Sequence, residues 1–403
     1  MNDSFLKTIF WLSAGLVSYV YLVYPALLYL LSRWFPQKTE PLGVALPSVS
    51  LVISAYNEVS VIGEKLENAL TIDYPRDLME VLVISDCSDD GTDELVGVRV
   101  GQGVHLVRQS KRLGKSAGLN LGVPESSGAI LIFSDANAIY QTDAIRQLVR
   151  HFADPRIGYV VGHAKYVEQS VQAPSAESEG LYWKLETWLK ERESRFGSVV
   201  GGDGAIYAIR RGLFSQLRPT DINDLLNPLQ IIASGYRGVY EPSAICYEEA
   251  GDSFEKEFRR KVRIVGRSLN AVWRAWRVLL PWTQPRHWFS LVSHKLLRWF
   301  VPVFLLLSLS ASLFLLHLPF YRVAALLQAS FYGMAASAWI VGRRRNSTRV
   351  LYIPYYFCLV NTAALLGIIQ FFRGSLSPTW QTIREKKPVD HESAPIAQGE
   401  HPE

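Results

Sequence analysis

Four long apolar stretches stand out from the pattern of hydrophobic and polar positions along the chain. The first, residues 8–32, contains no charged side chain and lies between Lys7 and Arg33. Three more follow near the C-terminus, each bracketed by arginine: Trp299–Tyr321, Val323–Gly342 and Val350–Phe372. About twenty apolar residues are enough for a helix to cross a bilayer core of roughly 30 Å. The pattern predicts a membrane-anchored chain, with a helical hairpin that turns near His317-Leu318-Pro319.

The basic residues beside these stretches predict an orientation. Arg33 and Lys38 follow the first stretch, and four arginines lie between the third and the fourth: Arg343, Arg344, Arg345 and Arg349. The positive-inside rule places both sets on the cytoplasmic side of the inner membrane, together with the soluble block. Four full spans would put the C-terminal tail outside, although Arg373 and Lys386 favour the inside. The last stretch, which carries several polar side chains, is therefore either a full span or partly re-entrant.

Between these apolar stretches, strand-like and helix-like segments alternate. Short apolar runs rich in β-branched residues predict four strands: Val49–Ser54, Val81–Asp86, Val104–Gln109 and Ala129–Ser134. Segments of helical character, Glu58–Thr71 and Lys115–Val123, separate them. This alternation predicts an α/β domain with a mostly parallel sheet covered on both faces. We expect an anchor over 1–40, the α/β domain over 41–254, amphipathic interface helices over 255–298, membrane helices over 299–373 and a polar tail over 374–403.

Composition narrows the function classes. The net charge of +5, from 42 basic and 37 acidic residues, is too small to indicate a nucleic-acid partner but suits contact with anionic membrane lipids. The three cysteines, Cys87, Cys246 and Cys358, lack the spacing of a zinc site or a disulfide framework. With so few spans and no charge inside them, the chain does not have the pattern of a transporter.

Polar and acidic residues follow three of the predicted strands. They are Tyr56-Asn57-Glu58, the run from Asp86 to Gly91, and Asp135-Ala136-Asn137. Ligands of parallel α/β sheets bind beyond the carboxyl ends of the strands, so these residues predict a shared site. No Gly-x-Gly-x-x-Gly follows the first strand, and the chain contains no Walker loop, which disfavours nicotinamide and P-loop chemistry.

Several ordered motifs resemble those of glycosyltransferase family 2. They are Ser54-Ala55-Tyr56-Asn57-Glu58, Ser85 to Thr92, Arg112 to Asn120, Phe133 to Asn137, Gly201 to Arg210 and Asn223-Asp224. Each motif is weak alone, but the ordered set over about 220 residues is specific. With its flanking apolar stretches, the chain is similar to membrane polysaccharide synthases of the cellulose, hyaluronan and poly-N-acetylglucosamine types. The resemblance implies the GT-A fold of nucleotide-diphospho-sugar transferases.

The resemblance also implies roles for the residues at the strand ends. Ala55, Tyr56, Glu58 and Asp86 would bind the base of a nucleotide sugar, with Tyr56 stacking on the ring and Lys115 near the phosphates. Asp135 and Asn137 would hold Mg²⁺ or Mn²⁺ on the diphosphate, with Asn137 where the family has a second acid. Asp86, Asp135 and Lys115 could also be ordinary turn, cap or surface residues, and Asp89 and Asp90 read as turn and cap residues.

Asp224 occupies the position of the family's general base. Inverting transfer needs one carboxylate to remove the proton of the acceptor hydroxyl. Asp221, three residues earlier, is the alternative base or a helix cap. The preceding helical segment, Glu177–Arg195, contains Trp183 and Trp188, which could line an acceptor site or belong to the core.

The segment Glu255–Arg277 predicts an amphipathic helix. Its apolar positions recur at steps of three and four: Phe258, Val262, Val265, Leu269, Val272 and Trp276. We expect this face on the membrane and the opposite, basic face toward the α/β domain. Arg260 and Arg263 match in position a family box of the form Gln-x-x-Arg-Trp, which implies binding of the donor diphosphate. Here Gln is Arg and Trp is Ile, which puts processive synthesis in doubt.

These observations predict a metal-dependent inverting hexosyltransferase in the cytoplasmic membrane. Its donor would be a nucleotide sugar, most simply UDP-linked, and its acceptor a growing polysaccharide or a lipid-linked sugar, with a possible export partner. Two alternatives stay open: a polyprenyl-phosphate sugar transferase, whose nucleophile needs no base, and a catalytically inactive subunit for glycan synthesis.

Overall fold

The computed structural model describes residues 2–37, 45–167, 175–249, 254–342 and 349–379. The predicted boundary at residue 40, the basic residues Lys38 and Arg343 to Arg345, and the tail beyond Thr379 lie outside these ranges. The α-helices within them are α1 (Asp3–Ser18), α2 (Tyr24–Trp34), α3 (Val59–Leu70), α4 (Thr92–Gly97), α5 (Lys115–Gly122), α6 (Ala144–Val149), α7 (Ser175–Phe196), α8 (Asn223–Ala233), α9 (Phe254–Arg274), α10 (Pro285–Ser290), α11 (Leu297–Phe314), α12 (Pro319–Gly342) and α13 (Arg349–Phe372).

One mixed sheet forms the centre of the α/β domain. Its strands are β1 (Val49–Ala55), β2 (Met79–Ser85), β3 (Val104–Arg108), β4 (Ile130–Asp135), β5 (Ile139–Tyr140), β6 (Ile157–Val167), β7 (Tyr207–Arg210) and β8 (Arg237–Glu249). They lie in the order β3-β2-β1-β4-β7-β6-β8-β5. The first four are parallel to one another, β7 is antiparallel to both neighbours, and β6 and β8 are parallel. The four predicted strands are confirmed to within about two residues at each end.

Helices cover both faces of the sheet, as the continuous apolar strands predict. Along β1, Leu51 and Ile53 point into a core with α3, α4 and α6. The intervening Val52 belongs to a second core with α5, α8 and α9. Because side chains alternate along a strand, the central strands β1, β4 and β7 contribute to both cores and are largely buried on both sides. The carboxyl ends of β1, β2 and β4 therefore share one edge of the domain.

Within the described residues, four helical segments are long and apolar enough to cross a membrane by length and composition: Asp3–Trp34, Pro285–Phe314, Pro319–Ile340 and Ile353–Phe372. In the first, a π-helical turn at Tyr19–Val23 joins α1 to α2. α1 packs against α11 near the hairpin turn, where Asp3 Oδ2 lies 2.9 Å from His317 Nε2. At its other end the segment reaches the α/β domain, since the Gln37 amide donates to the Arg195 carbonyl over 2.7 Å.

α13 packs differently from the other long apolar helices. It runs alongside α9 and parallel to it, because Tyr355 meets Phe254 near the start of both helices and Gly367 meets Gly266 further along. The two glycines permit a close crossing, since a Cβ on Gly367 would lie 2.7 Å from the Val262 carbonyl oxygen. Both ends of α13 therefore lie beside the α/β domain.

The amphipathic helix is confirmed as α9, but the partner of its apolar face is not the one expected. Arg267 and Arg274 on its basic side contact the α/β domain. Val265 and Leu269 on the apolar side pack against Ala364 and Ile368 of α13. The expectation that this face rests directly on lipid is wrong, because α13 covers it.

Candidate active site

A cavity of about 1120 Å³ begins at the carboxyl ends of β1 and β4 and continues to α13. At the end nearest the sheet, called here the upper end, the cavity is lined by Ser54 and Asp135, which lie at the carboxyl ends of β1 and β4. At its lower end it is lined by Tyr356 and Ala364 of α13. The site that the strand ends predict therefore extends from the sheet edge to the helices of the membrane region.

Two carboxylates and one ammonium group converge around Gly204. A Cβ on this glycine would lie 3.2 Å from Asp224 Oδ2, 3.5 Å from Asp135 Oδ2 and 3.9 Å from Lys115 Nζ. Lys115 also contacts Asp135 directly, with 2.6 Å between Nζ and Oδ1. The three residues come from separate motifs, and the folded chain brings them to one point in the cavity.

Asp224 lies in the first turn of α8, and the Oδ1 atom of its carboxyl group is buried. Its Oδ1 atom has no hydrogen-bond partner among the described residues. Burial raises the pKa of Asp224 to about 6; Asp203 and Asp135 add to the rise, and Lys115 opposes it. A carboxylate with this pKa can accept a proton near neutral pH.

Asp221 is the alternative to Asp224 as the general base, but both oxygens of its carboxylate already have partners within the protein. Its carboxylate is paired with Arg274 and accepts hydrogen bonds from the Asn270 side chain at 3.1 Å and the Arg218 amide at 2.6 Å. Its backbone carbonyl accepts from Arg267. Asp221 therefore joins the start of α8 to α9, and its oxygens are already used.

Asp203 and Glu248 add two acids that the sequence analysis did not select. Asp203 forms a buried ion pair with Lys190 of α7, with 2.9 Å between Nζ and Oδ2. Glu248 lines the cavity from β8, and burial raises its pKa to about 8, with Asp135 and Asp203 adding to the effect. The position of Glu248 depends on the pairing of β8 with β6, which connects residues far apart in sequence.

Beneath the Asp135-Ala136-Asn137 turn lies a fully buried lysine. Lys65 of α3 donates to the Ala138 carbonyl and stands 4.0 Å from the centre of the Tyr140 ring. Burial lowers the pKa of Lys65 to about 7. The helical periodicity could have predicted that Lys65 is buried, because this lysine lies on the apolar face of α3 with Ile62 and Leu66.

Asp135 and Asn137 both line the cavity and offer oxygen donors to a hard cation. No group of three or more His, Cys, Asp or Glu side chains forms a metal cage in the described part of the chain. Mg²⁺ commonly binds through one or two carboxylates and completes its shell with water and substrate phosphates. The residues present fit a cation of that kind.

Asp86 is buried beneath a loop, not on the cavity wall. Its Oδ1 accepts from the Gln109 side chain at 2.7 Å and from the amides of Leu113 and Gly114 at 2.8 and 3.0 Å. Burial raises the pKa of Asp86, although these two amides oppose the rise. Asp86 therefore does not share the cavity wall with Asp135 and Asp224, and it holds the loop that leads into α5.

The turns after β1 and β2 interlock. Asn57 and Cys87, one in each turn, have φ values of 53° and 62°, a region that residues other than glycine seldom adopt. The Asn57 side chain donates to Asp89 at 2.8 Å, and Asp90 accepts from the Thr92 amide at 3.0 Å. Asp89 and Asp90 therefore stabilise these turns, and the N-cap residue of α4 is Gly91.

Of the remaining predicted residues, Ala55 is buried at the end of β1 and Glu58 lines the cavity. The Tyr56 ring is covered by the Arg112 guanidinium, whose centre lies 3.8 Å from the ring centroid. Arg112 itself lines the cavity.

The two predicted arginines of α9 both reach the cavity. Arg260 is paired with Glu257, with 2.8 Å between Nε and Oε2. The field of Arg260 and burial both lower the pKa of Arg263, burial being the larger cause. The ammonium and guanidinium groups on the cavity wall can hold a polyanionic ligand, and a carboxylate such as Asp224 can accept a proton.

The sequence profile of the glycosyl transferase family 2 matches residues 50–218, which include these strand ends and the Gly204 turn. Residues 50–218 are a family 2 glycosyltransferase domain. Two curated relatives match the chain: the probable glycosyltransferase YdaM of Bacillus subtilis, 25% identical over 237 residues, and the poly-beta-1,6-N-acetyl-D-glucosamine synthase of Staphylococcus aureus, 24% identical over 224 residues. Each alignment covers 54% of this chain and 54% of the relative. The chain thus matches about half the length of these relatives.

Among solved structures, the mannosyltransferase PcManGT from Pyrobaculum calidifontis, in complex with GDP-Man and Mn²⁺, has the same fold. The TM-score is 0.69 at 22% sequence identity, over 91% of this chain and 99% of the other. Because the alignment extends well beyond residues 50–218, the likeness in fold includes helices outside the family 2 domain. The predicted GT-A fold is confirmed.

Below the family 2 domain, the lower end of the cavity contains a buried polar network. His294 lies between two glutamates of α7, with its Nδ1 2.6 Å from Glu193 Oε1 and its Nε2 3.2 Å from Glu186 Oε1. Glu186 also pairs with Lys295 and Arg298. Glu186 and His294 are 108 residues apart in sequence, so no local pattern could predict the network.

The segment after α13 returns to the family 2 domain. The Pro378 carbonyl lies against Gly114, whose φ is 92°, and Ser377 and Thr379 line the cavity. A Cβ on Gly114 would overlap the Pro378 carbonyl, so the glycine is needed for this approach as well as for its backbone conformation. Ser377 and Thr379, in the segment predicted as polar tail, thus form part of the cavity wall.

Proposed function

We propose that this protein is a membrane-bound inverting glycosyltransferase that moves a sugar from a nucleotide donor, most simply UDP-linked, to a glycan or lipid-linked acceptor. The observation that carries the proposal is the meeting of Asp135, Lys115 and Asp224 around Gly204, inside one cavity that continues to the membrane helices. The family 2 domain supports the reaction class.

At the nucleotide end, Tyr56 and Glu58 bind the base and ribose, and the buried Ala55 and Asp86 support this end from behind the cavity wall. Tyr56 supplies an aromatic face beside Arg112, and Asp86 fixes the loop from Gln109 to Gly114 that closes this end. Lys115, in the first turn of α5, binds the donor phosphates. Its position at a helix N-terminus adds a favourable field for an anion.

Asp135 and Asn137 would hold Mg²⁺ or Mn²⁺ on the donor diphosphate. The cation would neutralise the charge that develops on the leaving nucleoside diphosphate. Mn²⁺ is present in the structure of PcManGT, which supports a divalent cation for the same fold. Lys115 and Arg263, both on the cavity wall, supply further positive charge beside the leaving group.

Asp224 acts as the base. The acceptor hydroxyl gives its proton to Asp224 while its oxygen bonds to the anomeric carbon from the face opposite the leaving group. The bond from that carbon to the diphosphate oxygen breaks, and the configuration inverts. A pKa of about 6 leaves most of Asp224 ionised at neutral pH and still able to take the proton.

We place the catalytic domain on the cytoplasmic side of the inner membrane, where Arg33 and the basic residues between α12 and α13 would remain under the positive-inside rule. The polar network around His294 lines the route from Asp224 to the membrane helices, which suits an acceptor that arrives from the bilayer.

The test is nucleoside diphosphate release from the purified protein in nanodiscs, with a panel of UDP- and GDP-sugars and with or without Mn²⁺. We expect release with at least one UDP-sugar, dependent on the cation and lost in Asp135→Ala. Release with none of the donors would overturn the proposal and favour an inactive subunit for glycan synthesis.

A further inference from the structure

A second cavity, of about 1010 Å³, lies on the opposite side of α13 from the catalytic cavity. It is formed by α9, α11, α12 and α13, and its walls are mainly apolar and aromatic. Representative wall residues are Phe258, Leu305, Leu309, Tyr332, Ala335 and Leu365. Leu306 and Trp339, at its edge, are more than half exposed, so the cavity is a groove open to the surroundings of the helices.

The groove and the catalytic cavity share two wall residues, Phe357 and Asn361 of α13. Asn361 Nδ2 donates to the Phe357 carbonyl over 2.8 Å, and the Phe357 ring packs 5.6 Å from the ring of Phe331. A single layer of side chains therefore separates the two spaces. A flexible chain could pass from one to the other by a rotation of Phe357.

The chemistry of the walls changes across this layer. On the catalytic side stand the cations Lys295, Arg298 and Arg263, and the cavity continues to Asp224. On the other side the walls are mainly apolar and belong to α9 and to three helices that could cross a membrane by length and composition, α11, α12 and α13. A molecule that fits both spaces has a polar or anionic end and a long hydrocarbon chain.

We propose that the groove holds the hydrocarbon chain of a lipid acceptor, whose polar end enters the catalytic cavity past Phe357 and Asn361. This inference rests on the proposed glycosyltransferase function and narrows its acceptor to a lipid that enters sideways from the bilayer. Only the layer that contains Phe357 and Asn361 separates the groove from the catalytic cavity, and the cations stand where the polar end of such a lipid would arrive.

Cys358 provides a handle for the test, because it lines the groove next to Phe357. In a Cys87→Ser background the other cysteine, Cys246, is fully buried. A long-chain alkyl methanethiosulfonate would attach a hydrocarbon to Cys358 in the folded protein. Each preparation is compared before and after treatment, so a folding defect cannot produce the effect.

Three acceptors are used with the same donor: a polyprenyl phosphate, a glucosyl diacylglycerol and a water-soluble oligosaccharide. We expect the alkyl group to lower transfer to at least one of the two lipids by tenfold or more and to leave donor hydrolysis within twofold. The lipid that serves as acceptor should also slow the modification of Cys358. The matched control is Cys358→Ser with Leu313→Cys, which carries the thiol on an exposed part of α11.

Unchanged lipid transfer after complete modification would overturn the groove proposal and leave a structural lipid as its occupant. Transfer to the oligosaccharide alone, or an equal effect in the Leu313→Cys control, would also overturn it while the glycosyltransferase function stands. Absence of turnover with every donor would overturn both proposals.

Discussion

The Nζ atom of Lys115 lies 2.6 Å from Oδ1 of Asp135, while Oδ2 of the same carboxylate turns toward Gly204 and Asp224. One oxygen of Asp135 is thus paired within the protein and the other faces the centre of the cavity. This arrangement assigns different tasks to the two oxygens and makes Lys115 responsible for the direction in which the carboxylate points.

Lys115→Met should lower kcat/KM for the donor by about a hundredfold, because it removes both the charge beside the phosphates and the partner that orients Asp135. Lys115→Arg keeps the charge and should recover part of the loss. Initial rates over a range of donor concentrations measure both effects. Full activity of Lys115→Met would show that Lys115 is an ordinary surface residue.

Asp224→Asn should lower transfer to a hydroxyl acceptor by about a hundredfold or more, since the amide cannot take the proton. In the unsubstituted protein, kcat/KM should fall as the pH drops through about 6, where Asp224 becomes protonated. A pH series with saturating cation tests this. A phosphate acceptor is already an anion, so less than a tenfold loss with a polyprenyl phosphate would identify that acceptor class.

Asp224→Asn should stabilise the folded protein even though it lowers activity. The pKa of Asp224 in the folded state is above its ordinary value, so ionisation opposes folding, and the cost is complete above pH 6 and absent below pH 4. Asp224→Asn should therefore raise the free energy of unfolding by on the order of 3 kcal/mol at pH 8 and hardly at all at pH 4. Thermal unfolding in nanodiscs at the two pH values measures the difference.

Asp221→Asn is the matched comparison for Asp224→Asn. It breaks the buried pair with Arg274 and leaves that guanidinium without its carboxylate. We expect a loss of about 3 kcal/mol in the free energy of unfolding at pH 7. The residual folded protein should retain the activity that Asp224→Asn loses; a folded Asp221→Asn protein without activity would instead identify Asp221 as the base.

Gly204→Ala should weaken cation and donor binding without unfolding the protein. The new methyl group would lie 3.2 Å and 3.5 Å from the facing oxygens of Asp224 and Asp135 and would occupy the space between them. Mn²⁺ titration of donor hydrolysis should show a rise of at least fivefold in the cation concentration for half activity. Gly212→Ala, where nothing lies within 4 Å of the added carbon, is the control and should behave as the unsubstituted protein.

The first four strands and the main motif residues were predictable from sequence because both depend on local patterns, whereas four of the eight strands of the sheet were not among the predicted strands. Continuous apolar runs identify strands buried on two faces, and Asp135, Lys115 and Asp224 lie in motifs of neighbouring residues. Glu248 and His294 were missed since each enters the cavity through contacts with distant segments. Local patterns also could not predict that α13 covers the apolar face of α9, because the sequence of such a face does not show whether it contacts lipid or another helix.

The position of α13 leads to a prediction about topology. Since both ends of this helix lie beside the α/β domain, we expect residue 375 and the domain on the same side of the membrane. In oriented vesicles, a membrane-impermeant maleimide should label Ser375→Cys and Ser127→Cys from one side and His317→Cys only from the other. Labelling of Ser375→Cys together with His317→Cys would show that α13 crosses the membrane completely.

The contact between Gly114 and Pro378 has a consequence for biosynthesis. Nine of the thirteen described α-helices and five of the eight described strands lie between these positions in the chain, yet the two meet next to Lys115 and Thr379, which line the cavity. A ribosome must therefore release every helix before this wall can close. During translation the nascent α/β domain would have a donor pocket with one side missing, so the polypeptide should acquire its catalytic competence only after insertion into the bilayer is finished.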